Sequence, residues 1–225
     1  MKCSNTGAVI DASKTPGGYV GGIVGYAATT EVTMNNCDNA GDITVLFDSE
    51  SRNVNRNVMS VGGIIGETFV AATLSGCDNS GNIISNCSAN AAKAKTAIGG
   101  MVGICRRNSF TNCHLSGNIT NNCPDISNEH LGGFVGQIEA NVVTLMDNCS
   151  VNAIVSPALT TYSGLIVGRL TDKAADGITT TITEFKVAGN YNGQDVTEDN
   201  FGPYCFGTDS NYKQTTGITV GTVAK

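Results

Sequence analysis

The chain contains no tryptophan, only two histidines and only four prolines, and charged residues make up 14% of its 225 positions. Each scarcity excludes something. Basic residues are outnumbered, 13 Lys and Arg against 19 Asp and Glu, for a net charge of −6. A nucleic-acid partner needs a basic stripe to displace counterions, so that class is set aside. No apolar run approaches the ~20 residues that span a bilayer. The opening "MKCSNTGAVI" has no apolar core of a signal peptide. His114 and His130 fall in different elements, so no Ser–His–Asp or Cys–His arrangement follows from spacing. There is no C-x-x-C pair. No Lys-Ser/Thr follows the glycine clusters, so they are not phosphate loops.

What is present is glycine, 28 residues, and an ordinary hydrophobic content of 40%. Few charges with many tight backbone positions describe a folded chain, not a disordered one. The glycines recur in order: "VGGIVG" (20–25), "VGGIIG" (61–66), "IGGMVG" (98–103), "LGGFVG" (131–136) and a degraded "SGLIVG" (163–168). Each is followed by a second element: "MNNCDNAGDI" (34–43), "LSGCDNSGNI" (74–83), "FTNCHLSGNI" (110–119) and "MDNCSVNAIV" (146–155). "ITEFKVAGNY" (182–191) is a cysteine-free echo, and the chain opens inside another such element. The leading glycines stand at 21, 62, 99, 132 and 164, at intervals of 32–41 residues.

Repeats of this length mean a solenoid or a propeller, because one unit cannot bury its own apolar face. Alternating apolar residues, β-branched enrichment and the lack of a 3.6-residue stripe make the elements strands. Propeller blades carry aromatic signatures and four strands each. Here each unit offers two or three short strands and no Trp. The expected fold is therefore all-β: a right-handed parallel β-solenoid of five to six coils, stacked ~4.8 Å apart. Residues 1–191 form the repeat domain. Residues 192–225 form its C-terminal cap, with Phe201, Tyr204 and Phe206 over the last coil. Because residue 1 lies mid-unit, the chain is read as part of a longer protein.

The paired elements resemble the GLUG motif, a Gly-Gly-apolar-Val-Gly run followed by a strand and an Asn/Gly turn. "GGIVGYAATTEVTMNNCDNAGDI" (21–43) fits it closely, and the copies at 62–83, 99–119 and 132–155 fit well. The copy at 164–191 lacks the second glycine and the cysteine. The resemblance implies a large secreted or surface-attached bacterial protein in which the repeats are not catalytic. It implies adhesion or display, and it carries over no catalytic residue and no cofactor.

Cys3, Cys37, Cys77, Cys113 and Cys149 share one repeat position, and Cys87 and Cys123 share another. In stacked coils equivalent side chains run parallel, which suits neither relaxed disulfides nor a tetrahedral metal site. The favoured reading is a ladder of buried free thiols, with some disulfide pairing and metal binding as the other two. Asp38, Asp78, His114 and Ser150 each follow a ladder cysteine, and Asp42 lies in the same turn as Asp38. Carboxylates from neighbouring coils can gather around calcium, which would suit a polysaccharide-cleaving β-helix enzyme using Asp38, Asp42 and Asp78. The other reading is turn formation by solvated Asp and Asn. The sequons at 86–88, 118–120 and 148–150 would be idle in a bacterial protein.

The glycine strand shows two alternating apolar sets. Val20, Val61, Ile98 and Leu131 form one; Ile23, Ile64, Met101, Phe134 and Ile166 form the other. Both faces of the strand are then apolar, so something besides the core must cover one. Either the inter-repeat segments (about 44–60, 84–97, 120–130 and 156–162) fold over it, or the second set is a binding strip. In the second case Ile23, Ile64, Met101, Phe134 and Ile166 are the candidate contacts for a glycan or a surface protein. Glu50, Arg52, Arg56, Lys93, Lys95, Asp125 and Glu129 lie in those segments, and none stands out as a ligand contact. The functional expectation is a non-catalytic cell-surface or secreted module for adhesion, with the enzyme and a pure spacer as alternatives.

Overall fold

The computed structural model describes residues 2–7, 10–11, 18–47, 58–87, 95–123, 129–139, 144–156, 162–170, 180–207 and 217–221. Residues 58–87 show how one coil is laid down. Strand Val58–Gly62 runs into a glycine bend and leaves it as Ile65–Thr68. Strand Ala72–Ser75 follows, then a left-handed residue, Gly76, and Cys77. Asp78–Asn79 is a two-residue strand, and after a corner Ile83–Cys87 closes the coil.

Every equivalent strand pairs in parallel with the coil before and after it, giving a β-solenoid. Three sheets carry five rungs each, and a twelve-stranded sheet holds the two strands that follow the cysteine in each coil. The register follows the repeat: Gly21, Gly62, Gly99, Gly132 and Gly164 are consecutive partners.

The glycine run has a separate reason at each place. The first glycine sits in the bend, where a Cβ on Gly62 would collide with the Ile65 carbonyl. At the second, a Cβ on Gly63 would collide with the Gly100 carbonyl of the next coil and the Asn79 amide. The third allows close approach between the two strands around the bend. A Cβ on Gly66 would lie 2.8 Å from Val20 N and 2.9 Å from Val20 O. Leu165 replaces the second glycine where the next layer is the cap, whose Tyr204 carbonyl accepts from Leu165 N at 2.6 Å.

The bend also corrects the expectation of a strand with two apolar faces. There is no single strand: the glycine pair breaks it into two strands in two different sheets. The residue after the pair sits on the bend and points inward. Ile64, Met101, Phe134 and Ile166 are fully buried in the hydrophobic core, and Ile23 packs against it half-buried. Phe134 lies edge-on between Phe110 and Phe185, with centroids 5.1 and 5.2 Å away. Burying each such ring is worth roughly 2–3 kcal/mol. No cover from the inter-repeat segments is needed for this set. Glu50, Arg52, Arg56, Lys93 and Asp125 lie outside the described residues.

The cysteine corner is turned by the residue before the cysteine. Asn36, Gly76, Asn112 and Asn148 have φ of 51°, 60°, 52° and 49°, a left-handed conformation that Gly and Asn adopt at least cost. The next corner is made by Asn39 and Gly41: Asn39 Nδ2 donates to the Gly41 carbonyl at 2.9 Å, and Gly41 N donates back to Asn39 Oδ1 at 3.2 Å. In the fourth unit "NAI" (152–154) replaces the "SGN" of the second and third coils and the "AGD" of the first. That corner straightens, and Cys149–Ser156 is one continuous strand.

Cys37, Cys77, Cys113 and Cys149 face the core as free, buried thiols, and Cys3 is free and half-buried. Cys123 is disulfide-bonded, so the cysteines are not uniform. At the C-terminal end a short helix, Phe201–Cys205, lies over the last coil. Ile166 N donates to the Cys205 carbonyl at 3.0 Å, Phe206 is buried, and Phe201 and Tyr204 pack on the core. Among the described residues no helix is long and apolar enough to cross a membrane.

Candidate functional site

Two columns of side chains flank the glycine bend. One lies two residues before the glycine pair: Tyr19, Ser60, Ala97, His130 and Tyr162. The other follows the last glycine: Tyr26, Glu67, Ile104, Gln137 and Arg169. The bend folds one column onto the other, so partners seven residues apart meet. Tyr19 and Tyr26 stack with centroids 4.3 Å apart and planes 13° apart. His130 Nδ1 lies 2.7 Å from Gln137 Oε1. The Arg169 guanidinium lies 4.7 Å from the Tyr162 ring centroid.

The first cluster is where the molecule shows aromatic surface. Tyr19, Tyr26 and Phe69 are 45%, 39% and 53% exposed. Phe69 is tied to the first coil by its N–H, which donates to the Ala27 carbonyl at 2.8 Å. The Arg106 guanidinium covers the Phe69 ring at 4.4 Å, and its Nη2 lies 3.7 Å from Glu67 Oε1. Arg106 Nε is buried and bonds to nothing among the described residues. Burial pushes the Glu67 carboxyl up to about 7; Arg106 pulls it back and Glu139 pushes it further up. Buried, perturbed carboxyls beside a specific charge partner mark functional sites more often than chance.

The second cluster is a directed chain. Arg169 can only donate, so His130 Nε2, 3.2 Å from Arg169 Nη1, is assigned as the acceptor. The ring proton then sits on Nδ1 and is donated to Gln137 Oε1, whose Nε2 donates to Glu139 Oε1 at 3.1 Å. His130 is held edge-on to Tyr162, with centroids 5.2 Å apart. A cation, an imidazole, an amide and a carboxylate are thus aligned beside a second aromatic ring.

The aspartates behave differently. Register places Ser4, Asp38, Asp78, His114, Ser150 and Lys186 in one column. Asp38 and Asp78 are neighbours, and His114 Nδ1 lies 2.9 Å from Ser150 Oγ. Asp42 is engaged elsewhere: its Oδ1 accepts from Asn82 N at 2.8 Å and from Asn82 Nδ2 at 3.0 Å. Among the described residues no three of Asp, Glu, His and Cys gather as a metal ion would need, so Asp38, Asp42 and Asp78 do not form one cluster. Stacking brings His114 beside Ser150, a pairing that linear spacing conceals.

The aromatic columns were missed in the sequence because repeat comparison looks for what recurs. The signal was the reverse. The residue after the last glycine reads Tyr26, Glu67, Ile104, Gln137 and Arg169, the most variable place in an otherwise constant element. Comparison of the chain with protein families, curated proteins and solved structures finds no match.

Proposed function

We propose that this chain is a non-catalytic binding module of a bacterial cell-surface or secreted protein, and that it holds a glycan on the aromatic surface beside the glycine bend. The observation that carries this reading is the Tyr19–Tyr26–Phe69 surface with Arg106 and Glu67 set against it. Flat, exposed rings with a polar rim match the apolar faces and hydroxyl edges of sugars. A rigid β-scaffold holds them in place before ligand arrives, which lowers the entropic cost of binding. The resemblance of the paired elements to GLUG repeats supports a surface or secreted setting.

The test is retention of the purified chain on a panel of immobilised polysaccharides, beside a Tyr26→Ala, Phe69→Ala double variant. Retention of the wild type and loss in the variant, with unchanged melting, is the expected result. If no polysaccharide is retained, the glycan reading fails and a protein partner or a spacer role takes its place. If a polysaccharide is shortened on incubation, the enzyme reading replaces it, and the column Asp38, Asp78, His114 and Ser150 is the first to substitute.

A further inference from the structure

We infer that the ligand is a linear acidic polysaccharide, and that Arg106 and Arg169 are the seats for its carboxylates. This rests on the glycan reading above and narrows it to one chemical class. Both arginines are half-buried, and each guanidinium carbon lies over an aromatic ring, Phe69 at 4.4 Å and Tyr162 at 4.7 Å. A planar fork of N–H donors matches a carboxylate bidentately, and at Arg169 a ligand would share that fork with His130, which lies 3.2 Å from Nη1. A lysine ammonium can also sit over a ring, but it offers a point charge and no planar fork.

The Arg106 seat is under-occupied. Its contact with Glu67 is long, 3.7 Å, and its buried Nε–H has no acceptor among the described residues. A buried donor left unmatched is costly, and a ligand oxygen that reaches it gains more than an exposed contact would. Arg106 follows the third-coil strand Val102–Cys105 and Arg169 lies in the fifth-coil strand Val167–Leu170. They are two rungs apart, roughly 10 Å along the axis. One extended polymer with regularly spaced carboxylates can engage both seats, and the second contact then forms at high effective concentration. A monosaccharide cannot.

Glu67 sets the pH dependence. The charged or titratable groups that face it are Arg106, Glu139 and Tyr19. When ionised, Glu67 competes with the ligand for Arg106 and repels its carboxylate. When protonated, it releases the guanidinium. Its carboxyl titrates at about 7, so affinity rises as pH falls through neutrality while the ligand carboxylates, with ordinary acidity, stay charged.

The test uses the whole chain with polygalacturonate and hyaluronate, each beside its own carboxyl-reduced polymer, by calorimetry at pH 8 and pH 5.5. The expected result is at least tenfold tighter binding of an acidic polymer than of its reduced form. Arg106→Gln should remove that preference yet still bind the reduced polymer. Glu67→Gln should tighten acidic binding several-fold at pH 8 and leave it unchanged at pH 5.5. Each variant's melting curve shows that it is folded. Equal affinity for acid and reduced polymers overturns the inference and leaves the glycan reading standing. So does an Arg106→Gln variant that retains the preference, or a Glu67→Gln variant that does not gain at pH 8. Binding to none of the four polymers sinks this proposal, and only silence across the wider panel sinks the glycan reading as well.

Discussion

Along the Asn–Gly corner that follows the cysteine, the amides of Asn5, Asn39 and Asn79 are each bonded to the coil beside them. Asn5 donates to Asn39, Asn39 to Asn79, and Asn79 to the Gly100 carbonyl, at 2.8–2.9 Å. On the outer side of the corner, Asp42, Asn82 and Asn118 accept in turn from Asn82 N, Asn118 N and Ile154 N. Beside the glycine bend, on the same coils, the polar groups are arranged otherwise. Arg106 keeps an unmatched N–H, Glu67 is forced toward neutrality, and three large rings face solvent. One region uses its polarity to fix the rungs in register. The other holds polarity that the fold does not use. Buried amides that are fully matched stabilise; groups left unmatched cost stability.

The comparison breaks first at the bend, because both regions depend on it. Gly103→Val places a Cβ 2.7 Å from Val61 N and against Ser60 Oγ, and overpacking of this kind against backbone costs about 3 kcal/mol or more. Thermal and urea melts should show a large loss, with the aromatic surface lost in step. Next is Asn79→Ala at the corner. It leaves the Asn39 amide short of a buried acceptor and the Gly100 carbonyl short of a donor, at a cost of about 2 kcal/mol. A melt shift near zero would mean that the ladder does not hold the register.

The carboxyls give a medium effect with a definite sign. Burial pushes Glu129 as well as Glu67 up to about 7. For each, the folded state binds the proton more tightly than the unfolded chain, whose glutamates titrate near 4.3. The contribution of these two carboxyls to stability is therefore fully present below about 4.5 and is lost as pH rises to about 7. Glu67→Gln and Glu129→Gln should each flatten that fall in a pH series of melts. Smaller still is the thiol ladder. Burial pushes the Cys105 thiol up to about 12, and a buried, protonated thiol is a poor nucleophile. The free buried cysteines should react with a maleimide only at the unfolding midpoint; rapid labelling of the native chain would contradict their burial. Tyr26→Ala should move the melt least, by under about 1 kcal/mol, since Tyr26 is 39% exposed and its ring packs mainly on Tyr19. If that variant melts much earlier, the exposed rings serve the fold and the contrast between the two regions disappears.

The inward cysteines, the Asn39–Gly41 corner and the stacked rungs are all legible in the chain, because each recurs at a fixed offset. Ile64 and Phe134 were misread as one face of a continuous strand. Alternation alone does not reveal that the glycine pair breaks the strand and turns the next residue into the core. Arg106 and Phe69 escaped notice because they belong to different coils and different offsets. Only stacking makes them neighbours.

The sequence by itself determined a parallel β-solenoid with a cysteine at one corner of all but the last coil, since a repeat of short apolar strands can bury itself only against copies of itself. The tertiary structure alone decided which side chains meet. The bend folds Tyr19 onto Tyr26, and the register sets Arg106 over Phe69 and beside Glu67. Those contacts depend on where rungs lie in space, and residues a full coil apart carry no local mark of it.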